Sequence, residues 1–182
     1  MNKSHDSSVK LQCLKVFVEL FGKFWDGQEV NVLGYTPIDL ADFVTFHSMG
    51  KQGTVKDWSA DLRIQMEHAD EYFIYGTEDI AFYKDADIDW LNQLIEIAKR
   101  NEQIGRINLV NPCMAGYTIE RNPHYKVRQV KDFGGWGLYE QTDQSTYQLT
   151  TQLSIWNKEF FLRYCEPGMT PWDFETVGSY KA

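Results

Sequence analysis

The chain has 182 residues, with 18 Lys+Arg against 26 Asp+Glu and a formal net charge of -8. This length suits one domain whose core needs no disulfide or metal staple, and the acidic balance excludes a general electrostatic grip on nucleic acid while leaving room for a local basic patch. No run approaches the roughly 18 consecutive apolar residues of a membrane span, and three scattered cysteines (Cys13, Cys113, Cys165) without CxxC pairs read as reduced thiols of a cytoplasmic protein with no zinc site.

In chain order, Leu14, Phe17, Val18, Phe21 and Trp25 form the apolar face of an amphipathic helix over Val9–Trp25, ended by Asp26-Gly27. Glu29–Leu33, closed by Gly34, and Phe43–Phe46 read as strands. Trp58, Leu62 and Met66 predict a helix over Trp58–Ala69 with Ser59 as its cap. Tyr72–Tyr75 reads as a buried strand with Gly76-Thr77-Glu78-Asp79 at its carboxyl end. A helix over Ile88–Lys99 carries Ile88, Leu91, Ile95 and Ala98 on one face, with Asp85 and Asp87 as cap and dipole partners. Ile104–Val110 is the next strand, and the alternation predicts an α/β sandwich with a largely parallel sheet. Beyond it, Tyr117, Val127, Val130, Tyr139, Tyr147 and Leu149 fall in short strand-like pieces, separated by Asn122-Pro123 and Gly134-Gly135. A helix then runs from Ser154 or Ile155 to Tyr164 and stops at Pro167-Gly168. This half reads as a mixed, partly antiparallel extension of the same sheet, within one domain spanning residues 1–182.

Ligands of open α/β sheets bind beyond the carboxyl ends of the strands, which is where Glu78-Asp79 stands. Adjacent carboxylates repel each other and lose hydration there unless a cation offsets them. A hard divalent ion shared with ligand phosphates is the common solution; an exposed turn with two solvated acids is the structural alternative. The end of the chain, Thr170-Pro171-Trp172-Asp173-Phe174-Glu175, is aromatic and acidic together. Its rings suit a sugar face and its carboxylates a proton from an attacking hydroxyl, although, taken in isolation, anchoring of the chain end is the better account of them. The turn His47-Ser48-Met49-Gly50 has a sufficient explanation as a strand end, and the four histidines (His5, His47, His68, His124) lack ligand spacing, His124 being the one kept as a weak metal-ligand candidate. No GxGxxG, GxxxxGK[ST] or GxSxG occurs, and Gly134-Gly135-Trp136-Gly137 reads as a turn or mobile loop.

Taken in order, several blocks resemble phage and bacterial glycosyltransferase-like proteins of the GT-A type. They are Leu20-Phe21-Gly22-Lys23-Phe24-Trp25, Val32-Leu33-Gly34-Tyr35, Ser48-Met49-Gly50 with Trp58-Ser59, Tyr72 through Asp79, Ser154-Ile155-Trp156-Asn157-Lys158-Glu159, and Pro167-Gly168 through Glu175. The resemblance implies a three-layer GT-A-like sandwich with a mixed central sheet. It also implies a nucleotide-diphospho-sugar donor, Mn2+ or Mg2+, and an acceptor hydroxyl on a glycan, a modified DNA base or another molecule, in the cytoplasm of a bacterial or phage-infected cell. Glu78 and Asp79 match the family's acidic motif as a variant, Asp79 being the leading metal ligand. Glu175 and then Asp173 match the acceptor-side carboxylate, Trp156 and Trp172 the acceptor pocket, and Ser59 and Trp58 the donor side. The family's usual first strand is absent: Asn2-Lys3-Ser4 resembles the polar loop that normally follows it. An open sheet edge at that point invites pairing with a second copy. A catalytically inactive relative that keeps the fold as a binding module is the alternative expectation.

Overall fold

The computed structural model describes residues 3–25, 27–110, 126–132 and 137–182. The order of elements is α1 (Lys3–Phe24), β1 (Val30–Gly34), β2 (Val44–Ser48), α2 (Asp57–Met66), β3 (Tyr72–Tyr75), α3 (Ile88–Lys99), β4 (Arg106–Asn108), β5 (Val127–Asp132), β6 (Gly137–Gln141), β7 (Ser154–Asn157), α4 (Lys158–Tyr164), α5 (Pro171–Asp173), a π-helical turn (Phe174–Gly178) and α6 (Ser179–Lys181). The fold is mixed α/β. Among the described residues no helix is long and apolar enough to cross a membrane.

The strands form three small sheets: β1 with β2, β3–β7–β4, and β5 with β6. The largely parallel sheet expected from the strand–helix alternation is not what forms. β1 and β2 are parallel, but β7 runs antiparallel to both β3 and β4 and lies between them. The predicted helix beginning at Ser154 or Ile155 is corrected with it: Ser154–Asn157 is strand, and the helix starts at Lys158. Ile155 and Trp156 are strong strand formers, and the Asn157 side chain accepts the Phe160 N–H at 3.0 Å, capping α4. The pieces holding Tyr147 and Leu149 are turns and bends. Cys113, Tyr117, Asn122-Pro123, His124 and Gly134-Gly135-Trp136 lie outside the described residues.

A strand sends successive side chains to opposite faces, and β7 uses this to build two cores. Ile155 joins Leu94, Ala98 and Ile107 on the α3 side. Trp156 joins Leu62, Met66, Phe161 and Phe174 on the side of α2, α4 and the C-terminal turns. β7 is therefore covered on both faces, whereas β3, expected as a buried strand, is half-buried and leaves Ile74 exposed. On the α1 side, Phe21 stacks on Phe43 at 6.2 Å and packs with Phe17 and Trp25 around Phe82. Leu33 of β1 reaches the Trp156 core.

The helix ends follow their capping chemistry. Asp87 accepts the Trp90 N–H at 2.9 Å and caps α3 as expected. Ser59 does not cap α2, which begins earlier, at Asp57. The Asp57 carboxylate instead takes the N–H groups of Gly53 and Thr54 in the preceding turn.

Close packing makes one glycine before β4 indispensable. A Cβ on Gly105 would lie 2.2 Å from the Phe160 ring. Gly105→Ala is expected to destabilise the fold by about 1–3 kcal/mol through overpacking. Thermal unfolding checks this, with each kcal/mol lowering the midpoint by roughly 2–4 °C at this size; an unchanged midpoint contradicts it.

Candidate functional site

β3 ends at Tyr75, and the chain then passes very close to the segment leading into β7. A Cβ on Gly76 would sit 3.0 Å from Leu153 Cα, so glycine permits this approach. The Thr77 N–H donates to the Thr151 carbonyl at 3.1 Å, which fixes the turn carrying Glu78 and Asp79. The Thr77 hydroxyl donates to Asp79 Oδ1 at 2.6 Å. On the other side of Thr151, Glu175 Oε1 accepts from the Thr151 N–H at 2.6 Å, the Thr151 hydroxyl at 2.8 Å and the Thr150 hydroxyl at 3.0 Å. Asp79 and the carboxylate of the C-terminal π-helical turn are thus linked through two residues, Thr77 and Thr151.

The electrostatics agree with this proximity. Burial holds the Tyr75 hydroxyl protonated well above the ordinary phenol range, and Cys165, Glu78 and Glu175 push the same way. Glu78 and Glu175 therefore act on one phenol. The Cys165 thiol is pushed up to about 12 by burial, with the Arg63 guanidinium opposing, which leaves it un-ionised and unreactive.

A broad, open cleft runs past these groups, and its extensive lining includes Trp58, Tyr75, Glu78, Asp79, Trp172 and Glu175. Five of the sequence-predicted site residues, Trp58, Glu78, Asp79, Trp172 and Glu175, line this one cleft. Trp172 is 69% exposed and offers an open ring face. Trp58 is half-buried, edge-on to Phe174 at 6.1 Å, so it serves the core as well as the cleft.

The other three are used inside the fold. Trp156 is fully buried, with Phe161 at 5.1 Å, Phe174 at 5.8 Å and the Arg106 guanidinium 5.4 Å from its ring; it has no surface to give an acceptor pocket. Ser59 is also fully buried, and its Oγ accepts the Met169 N–H at 2.9 Å, tying α2 to the C-terminal segment rather than facing a donor. Asp173 closes a capping box with Thr170, accepting its N–H at 2.9 Å and its hydroxyl at 2.8 Å. These bonds hold the Asp173 carboxyl below the usual carboxylate range. The residues that sequence reasoning missed are Tyr75, Thr77, Thr150 and Thr151. Thr77 stood inside the Gly-Thr-Glu-Asp turn, but nothing in the sequence marked Thr150-Thr151 as a partner for Glu175.

Among the described residues the ion pairs are Lys99–Glu96, Arg128–Glu140 and Lys181–Glu166, so Glu78, Asp79 and Glu175 have no basic partner there. No group of three or more His, Cys, Asp and Glu side chains is placed to hold a metal among these residues. Two adjacent carboxylates without a counter-charge fit a hard cation whose remaining ligands are water and phosphate. They do not fit an all-protein cage.

Two outcomes follow from the internal roles. Ser59→Ala strands the buried Met169 N–H and is expected to cost about 1–3 kcal/mol in denaturant unfolding. The depressed Asp173 carboxyl stabilises the fold above its unfolded value of 3.8, and this contribution is lost as the pH falls through the lower folded value. Asp173→Asn is expected to flatten that part of the acid-unfolding curve.

No family model, no curated protein and no solved structure matches the chain.

Proposed function

We propose that the cleft is the donor and acceptor site of a GT-A-type glycosyltransferase, which moves a sugar from a nucleoside-diphospho-sugar to an acceptor hydroxyl with divalent-metal assistance. The observation that carries this reading is the hydrogen-bonded link that runs from Asp79 through Thr77 and Thr151 to Glu175. The acid pair just beyond the carboxyl end of β3, a strand of a sheet packed between helices, is in keeping with the acidic motif of the GT-A resemblance.

Asp79, with Oδ1 occupied by Thr77, has Oδ2 left for a cation, and Glu78 is the second ligand. Bound Mn2+ or Mg2+ supplies Lewis-acid stabilisation of charge on the leaving diphosphate. Without a cation these carboxylates repel a diphosphate, so donor binding depends on the metal. Glu175, held through Oε1, has Oε2 available to take the proton of the attacking hydroxyl. Trp172 gives a sugar ring an apolar face at the cleft, and Trp58 lies on the donor side.

A second reading, a non-catalytic binding module, is favoured by the open edges of the β1–β2 sheet, each strand having a partner on one side alone among the described residues. Such edges pair readily with another chain, including a second copy. This reading expects a stable complex and no turnover.

A thermal-shift panel of UDP, GDP, ADP and CDP with and without Mn2+ separates the readings. One diphosphate is expected to stabilise the fold in the presence of Mn2+ or Mg2+ alone, and Asp79→Asn to remove the shift. A metal-independent shift, or none, counts against the enzyme. In donor-turnover assays Glu175→Gln is expected to lower kcat by about 10²–10⁴-fold, the range for a lost proton acceptor, with donor affinity kept.

A further inference from the structure

Asp79 and Glu175 are each held by one oxygen, and the residues that hold them touch each other. A threonine hydroxyl has one hydrogen; at 2.6 Å from Asp79 Oδ1 and 3.5 Å from the Thr151 carbonyl, the Thr77 hydroxyl gives it to Asp79. The contact with Thr151 is then carried by the Thr77 N–H at 3.1 Å. Thr151 is in turn fixed by Glu175 through both its N–H and its hydroxyl, at 2.6 and 2.8 Å. Hydrogen bonds to a carboxylate are stronger than neutral ones, so the two ends of this chain are its firmest links.

We propose that Thr77 and Thr151 form a positioning pair through which Glu175 sets the orientation of Asp79, so that Glu175 governs cation affinity at a carboxylate it does not touch. This rests on the acid pair being the cation and diphosphate site. Glu175 then has two separable roles. One oxygen anchors the Thr150-Thr151 segment, and an amide oxygen accepts the same bonds, though as weaker, neutral ones. The other takes a proton, and an amide does not.

The test uses the full chain, with Mn2+ titrated in the presence of saturating UDP, GDP, ADP or CDP, each in turn, and followed by electron paramagnetic resonance. Glu175→Ala is expected to weaken Mn2+ binding about tenfold, the size of one charge-assisted hydrogen bond. Glu175→Gln is expected to restore that affinity while losing sugar transfer. Thr77→Val, which keeps the backbone bond to Thr151, is expected to weaken Mn2+ binding, and Thr77→Ser to restore it. Hydrogen exchange at the Thr77 amide gives a second readout that needs no ligand, and it is expected to speed up in Glu175→Ala and not in Glu175→Gln. Wild-type Mn2+ affinity in Glu175→Ala and Thr77→Val, with unchanged exchange at Thr77, overturns the coupling and leaves the proposed function standing. Absence of Mn2+-dependent binding of UDP, GDP, ADP and CDP alike in the wild-type chain removes the functional reading, and the exchange measurement alone then decides the coupling. If Glu175→Ala does not fold, Thr151→Val, which removes one of the three donors to Glu175, takes its place in both measurements.

Discussion

Much of this molecule rests on a strand of four residues being apolar on both faces. Ser154, Ile155 and Trp156 are buried almost completely, and β7 supplies the hydrogen-bonding edge for β3 on one side and β4 on the other. Ile155 and Trp156 point in opposite directions and seed different clusters, so one short strand fastens α3 to one face and α2 with α4 to the other. Trp156 keeps its indole N–H buried without a hydrogen-bond partner among the described residues, a cost that its ring packing on Phe161 and Phe174 offsets.

Around that strand the C-terminal third is attached largely by side chains bonding to backbone. Ser59 takes the Met169 N–H, and Ser179 both accepts from and donates to Leu149. The Arg63 guanidinium donates to the carbonyls of Leu162 and Cys165, and Glu175 anchors Thr150 and Thr151. These bonds satisfy backbone groups that turns leave without ladder partners. They also place the π-helical turn, a form that recurs at functional sites, beside the carboxyl end of β3.

How far the sequence revealed this depended on the range of the signal. α3 was legible in full, because its apolar period and the Asp87 cap are local. β1, β2 and β3 were legible as short apolar or β-branched runs. β7 was not, since an apolar run of a few residues fits a buried strand and a buried helix alike, and the choice is made by β3 and β4, distant in sequence. At the site, Glu78-Asp79 was visible as two acids at a strand end, and Glu175 and Trp172 as an acidic aromatic cluster. Ser59, Asp173 and Trp156 share the residue types of a site, yet burial and capping account for them. What no local pattern carries is the contact of Thr151 with both Thr77 and Glu175, which exists once the sheet has closed.

The position of β7 has a consequence for the order of folding. Its partners, Tyr72–Tyr75 and Arg106–Asn108, precede it by tens of residues, so during synthesis they emerge with their shared edge open. Pairings of such long sequence separation form slowly, because loop closure comes before any reward in contacts. Until Ser154–Asn157 arrives, the apolar faces of α2 and α3 lack the strand on which both are packed, a state prone to association with other chains. The nascent protein thus depends on its last-made strand to protect the first two-thirds of its length.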